Sequence, residues 1–174
     1  MEQRGAVIVV DDDAKLLDVV RSGLLQKGYP CETAANGASA LELINKTPFD
    51  TMIADVDLPG MNGLELARKA KRLRPGMAVI IVTGFIEKFS YDEAIEAGAS
   101  DFIKKPFTLR ELLAKMNQIK IQEELQKREK ELKKKVKELE EFYDMAVGRE
   151  LRMKELKEEI EELREELKKY KKSQ

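Results

Sequence analysis

The chain has 174 residues, which suits one domain of ordinary size with an extension. Its 32 lysines and arginines balance 33 aspartates and glutamates, and histidine is absent. Balanced charge favours no nucleic acid partner, and the lack of histidine excludes a phosphohistidine carrier or a histidine-ligated metalloenzyme. The single cysteine, Cys31, excludes an internal disulfide and favours a reducing, cytoplasmic compartment. Apolar runs of about five residues predict no membrane span.

Strand-like apolar runs alternate with helical periodicities along residues 1–118. Strands are predicted at Ala6–Val10, Cys31–Ala35, Thr51–Ala54, Ala78–Val82 and Asp101–Lys104. Helices are predicted between them at Leu16–Leu25, Ala38–Asn45, Leu64–Leu73 and Tyr91–Ala97, and a fifth begins with a capping box at Thr108. Alternation with short loops predicts parallel strands and right-handed crossovers. The expected fold is α/β, a doubly wound five-stranded parallel sheet with helices on both faces.

Polar residues follow four of these strands. Asp11 and Asp12 follow the first, Asp55 the third, Thr83 the fourth and Lys105 the fifth. Ligands of open α/β sheets bind at the carboxyl ends of the strands. Carboxylates that converge there repel one another unless a cation joins them, and a hard divalent ion such as Mg²⁺ fits oxygen ligands best. Each feature alone is a weak signal, but their joint order predicts a phosphoryl-accepting aspartate in a Mg²⁺ site.

The first ~118 residues closely resemble the receiver domain of bacterial and archaeal response regulators. Four segments carry the resemblance: Val9–Asp13, Asp55–Gly63, Val82–Gly84 and Lys104–Phe107. The resemblance implies the flavodoxin-like strand order 2-1-3-4-5, in which the first and third strands are neighbours. It also implies a two-component signalling protein whose phosphoryl donor is a histidine kinase.

The same resemblance implies roles for the acidic residues. Asp55 matches the phosphoacceptor, since it lies four residues before Pro59. Asp11 and Asp12 match the acidic pair that holds Mg²⁺ together with Asp55, and the backbone carbonyl of Asp57 would supply another ligand. Asp57 could itself be read as the nucleophile, but its spacing to Pro59 argues against that interpretation.

Further roles follow for residues around the phosphoryl group. Thr83 and Lys105 match the hydroxyl and ammonium that contact it, and Phe102 lies where the family has its switch aromatic. Lys104 is a second candidate for the ammonium, but the residue directly before the proline is the better match. Asp57 and Ile86, at the rim, are expected to tune the lifetime of the phosphorylated state. Such a domain is no classical enzyme; it would catalyse its own phosphorylation and slow dephosphorylation.

Residues 119–174 have the Glu-, Lys-, Leu- and Arg-rich composition of a long helix or coiled coil. Apolar residues at alternating spacings of three and four form two runs, one from Leu132 to Ala146 and one from Leu156 to Tyr170. The runs are out of phase around Gly148, which predicts local overwinding or a kink. Leucines at d with Ile160 at a favour a parallel two-stranded coil.

The predicted protein is therefore a receiver domain, residues 1–118, that signals through a parallel homodimer of residues 119–174. A lone charged helix held by ion pairs four residues apart is the alternative for that segment. Two alternative functions stay open: a constitutively dimeric scaffold, or the N-terminal fragment of a larger receiver-containing signalling protein. The lysine-rich end at 168–172 is preceded by dense glutamate, so no nucleic acid binding is expected there.

Overall fold

The computed structural model describes residues 4–84 and 91–172. Strands and helices alternate along the chain. The strands are β1 (Val7–Val10), β2 (Cys31–Ala34), β3 (Thr51–Asp55), β4 (Ala78–Thr83) and β5 (Asp101–Lys104). The helices are α1 (Ala14–Gln26), α2 (Gly37–Lys46), α3 (Gly63–Leu73), α4 (Tyr91–Glu96) and α5 (Leu109–Lys172). Each predicted element is present, with ends within about three residues of the prediction.

All five strands form one parallel sheet in the order β2-β1-β3-β4-β5, as predicted. In its register Val10 lies opposite Ala54, so Asp11 leaves the sheet beside Asp55. Asp55 in turn lies opposite Val82 on β4. The carboxyl ends of β1, β3 and β4 therefore meet at one edge, where the polar residues that follow them come together.

Apolar side chains leave the strands on alternate faces and build one core layer on each side of the sheet. On one face, strand residues such as Ile8 and Met52 pack with α2, α3 and α4. On the other face, residues such as Val9 and Ile80 pack with α1 and the first turns of α5. The two layers explain why the central strands are continuous apolar runs, and they confirm the prediction of helices on both faces.

Helix ends follow local chemistry. The Asp13 carboxylate caps α1 by accepting hydrogen bonds from the backbone N–H groups of Lys15 and Leu16. At the start of α5, Thr108 donates to the Glu111 carboxylate from its backbone N–H and its hydroxyl, and these bonds lower the pKa of Glu111. The predicted capping box is thus present.

The apolar pattern of the first helix is wider than its buried face. Leu25 belongs to the apolar pattern of the first helix, yet its side chain is 48% exposed. Its neighbour Leu24 is fully buried against the sheet, and adjacent helical residues point about 100° apart. The buried stripe of α1 is consequently narrower than the sequence pattern, with Leu17, Val20 and Leu24 as its buried members.

The chain divides into two compact units, Met1–Gln122 and Glu123–Gln174. The second unit is helical throughout its described residues, and α5 runs through Gly148 without a break. The helix is therefore not interrupted at Gly148, and the predicted overwinding or kink stays a prediction. Large apolar side chains along it are exposed, including Leu139 and Phe142. The coiled coil and its dimer stay predictions. No described helix carries an apolar stretch long enough to cross a membrane.

Cys31 lies on β2 with its side chain buried, as the strand pattern predicted. Burial raises the pKa of its thiol from 9.0 to about 11. Since the thiolate is the reactive form, we expect alkylation by iodoacetamide at pH 8 to be roughly a hundredfold slower in the folded protein than in urea. Mass spectrometry of timed aliquots measures both rates. Equal rates in the two conditions would show that this strand is accessible.

Candidate functional site

Three carboxylates converge at the carboxyl edge of the sheet. Asp11 and Asp12 follow β1, and Asp55 ends the neighbouring strand β3. Each can place one carboxylate oxygen within 4.8 Å of the others. Asp11 and Asp55 are buried, at 2% and 6% exposure, whereas Asp12 is exposed. The cluster thus combines two buried negative charges with a third at the surface, which leaves it open to solvent on one side.

Lys105 is the cation of this cluster. It follows β5, and its ammonium donates hydrogen bonds to Asp11 Oδ2 at 2.7 Å and to Asp55 Oδ2. Burial acts to lower the pKa of the Lys105 ammonium, but the hydrogen bonds and negative charges of Asp11 and Asp55 outweigh it, and the pKa lies above its ordinary value. Lys105 is therefore charged at every physiological pH. The peptide bond between Lys105 and Pro106 is cis.

Backbone N–H groups orient the two buried carboxylates. Asp11 Oδ1 accepts a hydrogen bond from the N–H of Asp13 at 2.9 Å, and Asp55 Oδ1 accepts one from the N–H of Asp57 at 3.2 Å. Each carboxylate therefore uses one oxygen for the backbone two residues on and the other for Lys105. This Asx-type geometry holds both side chains in a fixed orientation before any ligand arrives.

The donor set fits a hard divalent cation. Three carboxylates carry three negative charges, and among the described side chains only Lys105 forms an ion pair with Asp11 and Asp55. Within the described part of the chain, two negative charges of the cluster are therefore left uncompensated. Carboxylate oxygens with no nitrogen or sulfur ligand among them are the set that Mg²⁺ and Ca²⁺ prefer.

Three further predicted residues, Thr83, Asp57 and Lys104, lie next to members of this cluster in the strands or in the sequence. Thr83 ends β4 beside Asp55 and is 6% exposed. Asp57 is exposed, and the structure links it to Asp55 through its N–H rather than through its side chain. Lys104 is exposed, whereas Lys105 reaches the carboxylates, so the choice between these two lysines agrees with the geometry. Ile86 lies outside the described residues.

Phe102 lies farther from the cluster, on β5. It is half-buried and pairs in register with Ile81 of β4. On its α5 side, the Lys115 ammonium lies 6.0 Å from the centre of the Phe102 ring and forms a 2.8 Å ion pair with Asp101. Lys115 thus connects the aromatic side chain and its strand to α5.

Gly63 is a site residue that the sequence analysis missed. It is the first residue of α3, capped by Asn62, and its N–H donates to the Val56 carbonyl. A Cβ at this position would overlap the carbonyl oxygen of Asp55 and would lie within 3.0 Å of Val56 Cα. The start of α3 can therefore pack against the backbone of Asp55 only because residue 63 has no side chain. Spacing along the sequence carries no information on this contact.

Comparison with known proteins agrees with this geometry. The family model described as "Response regulator receiver domain" matches residues 7–117. The transcriptional regulator NtrC of Escherichia coli K12 is 41% identical over 113 residues, which are 64% of this chain and 24% of NtrC. The response regulator MprA of Mycobacterium sp. strain KMS is 34% identical over 110 residues, 63% of this chain and 48% of MprA. The chain thus spans about a quarter to a half of the length of these relatives.

Solved structures give the same result. The crystal structure of a CheY-like response regulator receiver domain protein from Methanospirillum hungatei JF-1 is 38% identical, with a TM-score of 0.61. The match covers 74% of this chain and 98% of that one. A response regulator protein from Burkholderia pseudomallei is 25% identical with a TM-score of 0.60, over 70% and 74% of the two chains. That structure contains a phosphorylated aspartic acid and a calcium ion.

The contact at Gly63 predicts a loss of stability on substitution. Gly63→Ala must push the Asp55 carbonyl or the start of α3 away, and overpacking of this kind costs about 1–3 kcal/mol of the free energy of unfolding. Urea denaturation measures the loss. Gly76→Ala is the matched control, because a Cβ there meets nothing within 4 Å. Equal midpoints for the two variants would contradict the tight contact.

Proposed function

The chain belongs to the response regulator receiver domain family, and we propose that Asp55 accepts a phosphoryl group from a histidine kinase and that residues 119–174 pass on the signal as a dimer. The observation that carries this proposal is the buried Asp55 carboxylate beside Asp11, Asp12 and the Lys105 ammonium. The phosphorylated aspartic acid of the Burkholderia pseudomallei relative supports the same role for Asp55. In the proposed division, the receiver is 1–118 and the coil 119–174.

The chain's own residues account for the transfer. The Asp55 carboxylate is oriented by the Asp57 N–H through Oδ1, so Oδ2, which contacts Lys105, is the oxygen we assign to the attack on phosphorus. The new O–P bond forms as the bond from phosphorus to the donor nitrogen breaks. Lys105, always charged, then moves from the Asp55 oxygen to a phosphoryl oxygen and stabilises its negative charge. Positioning and charge, rather than covalent help, lower the barrier.

Asp11, Asp12 and Asp55 would hold the Mg²⁺ ion, together with the backbone carbonyl of Asp57. When bound, the ion supplies a divalent charge that neutralises the carboxylates and the incoming phosphoryl oxygens. The two uncompensated negative charges of the cluster support this assignment.

Thr83 and Phe102 are the proposed switch residues. The Thr83 hydroxyl would donate a hydrogen bond to a phosphoryl oxygen, a contact that exists only in the phosphorylated state. Phe102 would respond to the movement of Thr83. Lys115, whose ammonium lies next to the Phe102 ring, is itself a residue of α5. Several contacts of this kind can shift an equilibrium whose two states differ by a few kcal/mol.

Self-association of residues 119–174 is the proposed output. Its large apolar side chains are exposed along the described helix, which favours a partner that covers them. In the predicted parallel arrangement, three flanking pairs attract, namely Lys135–Glu140, Glu159–Arg164 and Glu166–Lys171, while Arg128–Lys133 repel. A cytoplasmic location, next to a kinase's cytoplasmic domain, belongs to the same proposal.

Asp55→Asn is expected to abolish phosphorylation. Incubation with acetyl phosphate and Mg²⁺, followed by intact-mass spectrometry, should add one phosphoryl group to the wild-type chain and none to the variant. Asp57→Asn is the matched control, since it removes a nearby exposed carboxylate and should still be phosphorylated. EDTA should prevent the modification. If the phosphoryl group were added to Asp55→Asn but not to Asp57→Asn, Asp57 rather than Asp55 would be the phosphoacceptor.

Thr83→Ala is expected to separate phosphorylation from output. The variant should still accept the phosphoryl group, but the dimer dissociation constant should no longer change on beryllofluoride addition, because the hydrogen bond that distinguishes the states is missing. Analytical ultracentrifugation measures that constant. Ser22→Ala, which removes an exposed hydroxyl on α1, is the control and should behave as wild type. A wild-type dimer that does not respond to beryllofluoride would favour the constitutive scaffold.

A further inference from the structure

Seven apolar residues recur at intervals of seven along the second unit. They are Leu125, Leu132, Leu139, Ala146, Met153, Ile160 and Leu167. The five large residues among them whose side chains are described are 47–67% exposed. This repeat passes through Ala146 without interruption. Each residue of the repeat is followed by a second apolar residue, and the spacing to that second residue changes at Ala146. Before Ala146 it is four residues, as in Leu132 and Val136, and after Ala146 it is three, as in Met153 and Leu156.

Charge divides the same helix into two opposite segments. Residues 127–137 contain seven lysines and arginines against two glutamates, a net charge of +5. Residues 155–166 contain seven glutamates against two lysines and arginines, a net charge of −5. We call these the basic segment and the acidic segment. They lie at nearly equal distances on either side of Ala146.

Within the helix these charges are only partly compensated. The basic segment forms intrahelical ion pairs at Lys133–Glu129, Lys134–Glu138 and Lys137–Glu141. In the acidic segment, Glu155 pairs with Arg152. Among the described residues, Glu158, Glu159, Glu161 and Glu162 have no cationic partner within 4.0 Å. The acidic segment therefore carries most of its charge without compensation from its own helix.

We propose that this stripe binds a second copy of the chain in antiparallel orientation, with the two-fold axis at Ala146. The proposal deepens the proposed self-association and rests on it. In this arrangement the basic segment of each copy lies along the acidic segment of the other. In a parallel, in-register dimer each segment would lie along the identical segment of the second chain. Like charges would then face each other over both segments.

The apolar residues match in the same register. Leu132 meets Ile160 of the second copy, Val136 meets Leu156, and Leu139 meets Met153. Leu125 and Leu167 form a further layer, and Ala146 meets itself. Apart from the Ala146 layer on the axis, each layer joins a d position of one run with an a position of the other, as antiparallel coiled coils require. Each of these layers occurs twice, as the symmetry of an isologous dimer demands.

Flanking pairs are mixed in both orientations. In the antiparallel dimer Lys135 faces Glu159 and Arg128 faces Glu166, while Lys133 faces Lys157. The parallel dimer has three attractive flanking pairs and one repulsive pair at Arg128–Lys133. Single exposed pairs contribute little, so the two opposed segments, each with a net charge of five, decide the orientation.

A second copy fits the stripe better than the chain's own other half. A hairpin would bring the same two segments together, but several residues near Gly148 would have to leave the helix. The described helix α5 continues through Gly148, from Leu109 to Lys172. The occupant is therefore a second chain.

Distance measurements between spin labels test the orientation in the full chain. In a Cys31→Ala background, a label at Lys134→Cys should lie about 36 Å from its counterpart along the axis in an antiparallel dimer, at ~1.5 Å per residue. A parallel dimer would give a distance below roughly 20 Å, since the helices lie side by side. A label at Met145→Cys is the matched control, because it is close to its counterpart in both orientations and reports dimerisation itself.

A short distance at position 134 would overturn the proposal. A monomer, with no distance at either position, would overturn both it and self-association, whereas phosphorylation of Asp55, read by mass, would be unaffected. A monomer in which labels at 134 and 158 of one chain are close would identify the hairpin.

Charge reversal gives an independent test, because it should change the dimer dissociation constant in opposite directions for the two orientations. Arg128→Glu, Lys134→Glu and Lys137→Glu together change the basic segment from +5 to −1. An antiparallel dimer should weaken at least tenfold in dissociation constant, and adding Glu155→Lys, Glu158→Lys and Glu166→Lys should restore it. A parallel dimer should instead strengthen with the first set, which would contradict the proposal. The control with an equal charge change outside the coil is Arg21→Glu, Lys46→Glu and Arg72→Glu.

Discussion

The structure of the site depends on the contact between one ammonium and two buried carboxylates. Asp11 and Asp55 lie on neighbouring strands at nearly complete burial, where two like charges would repel strongly. Lys105 donates to both and shares its charge between them. Among the described side chains the third carboxylate, Asp12, forms no ion pair, so this edge of the sheet keeps negative charge beside the contact. The contact is possible because the strands are parallel, so the carboxyl ends of β1, β3 and β5 lie at the same edge of the sheet.

The contact is also the starting point of the route that we propose from this edge of the sheet to α5. Lys105 is bound to Asp55 through the same oxygen that we assign to the phosphoryl group, so modification of Asp55 must displace the ammonium. Lys105 is joined to β4 by the hydrogen bond from its N–H to the Thr83 carbonyl. Phe102 lies three residues earlier on β5, beside Lys115 of α5. The hydrogen bonds of Lys105 and the contact between Lys115 and the Phe102 ring all lie within the first unit.

Much of the fold was predictable because its signals are local. Continuous apolar runs marked the buried strands, Asp13 and Thr108 marked helix starts, and the order of polar residues after the strands located the site. Contacts between distant backbone segments were not predictable in this way. The packing of Gly63 against Asp55 and the exposure of Leu25 depend on how helices lie on the sheet, which periodicity does not specify. In the long helix, the exposed stripe was visible in the sequence, but orientation depends on charges twenty or more residues apart, which a heptad-by-heptad assignment ignores.

The acidic triplet at residues 11–13 has a consequence for how this chain can vary. Its three aspartates look interchangeable, yet the first is buried and bonded to Lys105, the second is exposed, and the third caps α1. A helix cap needs only a short side chain with an acceptor oxygen, so serine or asparagine can replace Asp13 at small cost. Replacing Asp11 by asparagine instead removes the negative charge that Lys105 neutralises. Identical neighbours in the sequence therefore tolerate very different substitutions, and the pattern of natural variation across them would report which role each one has.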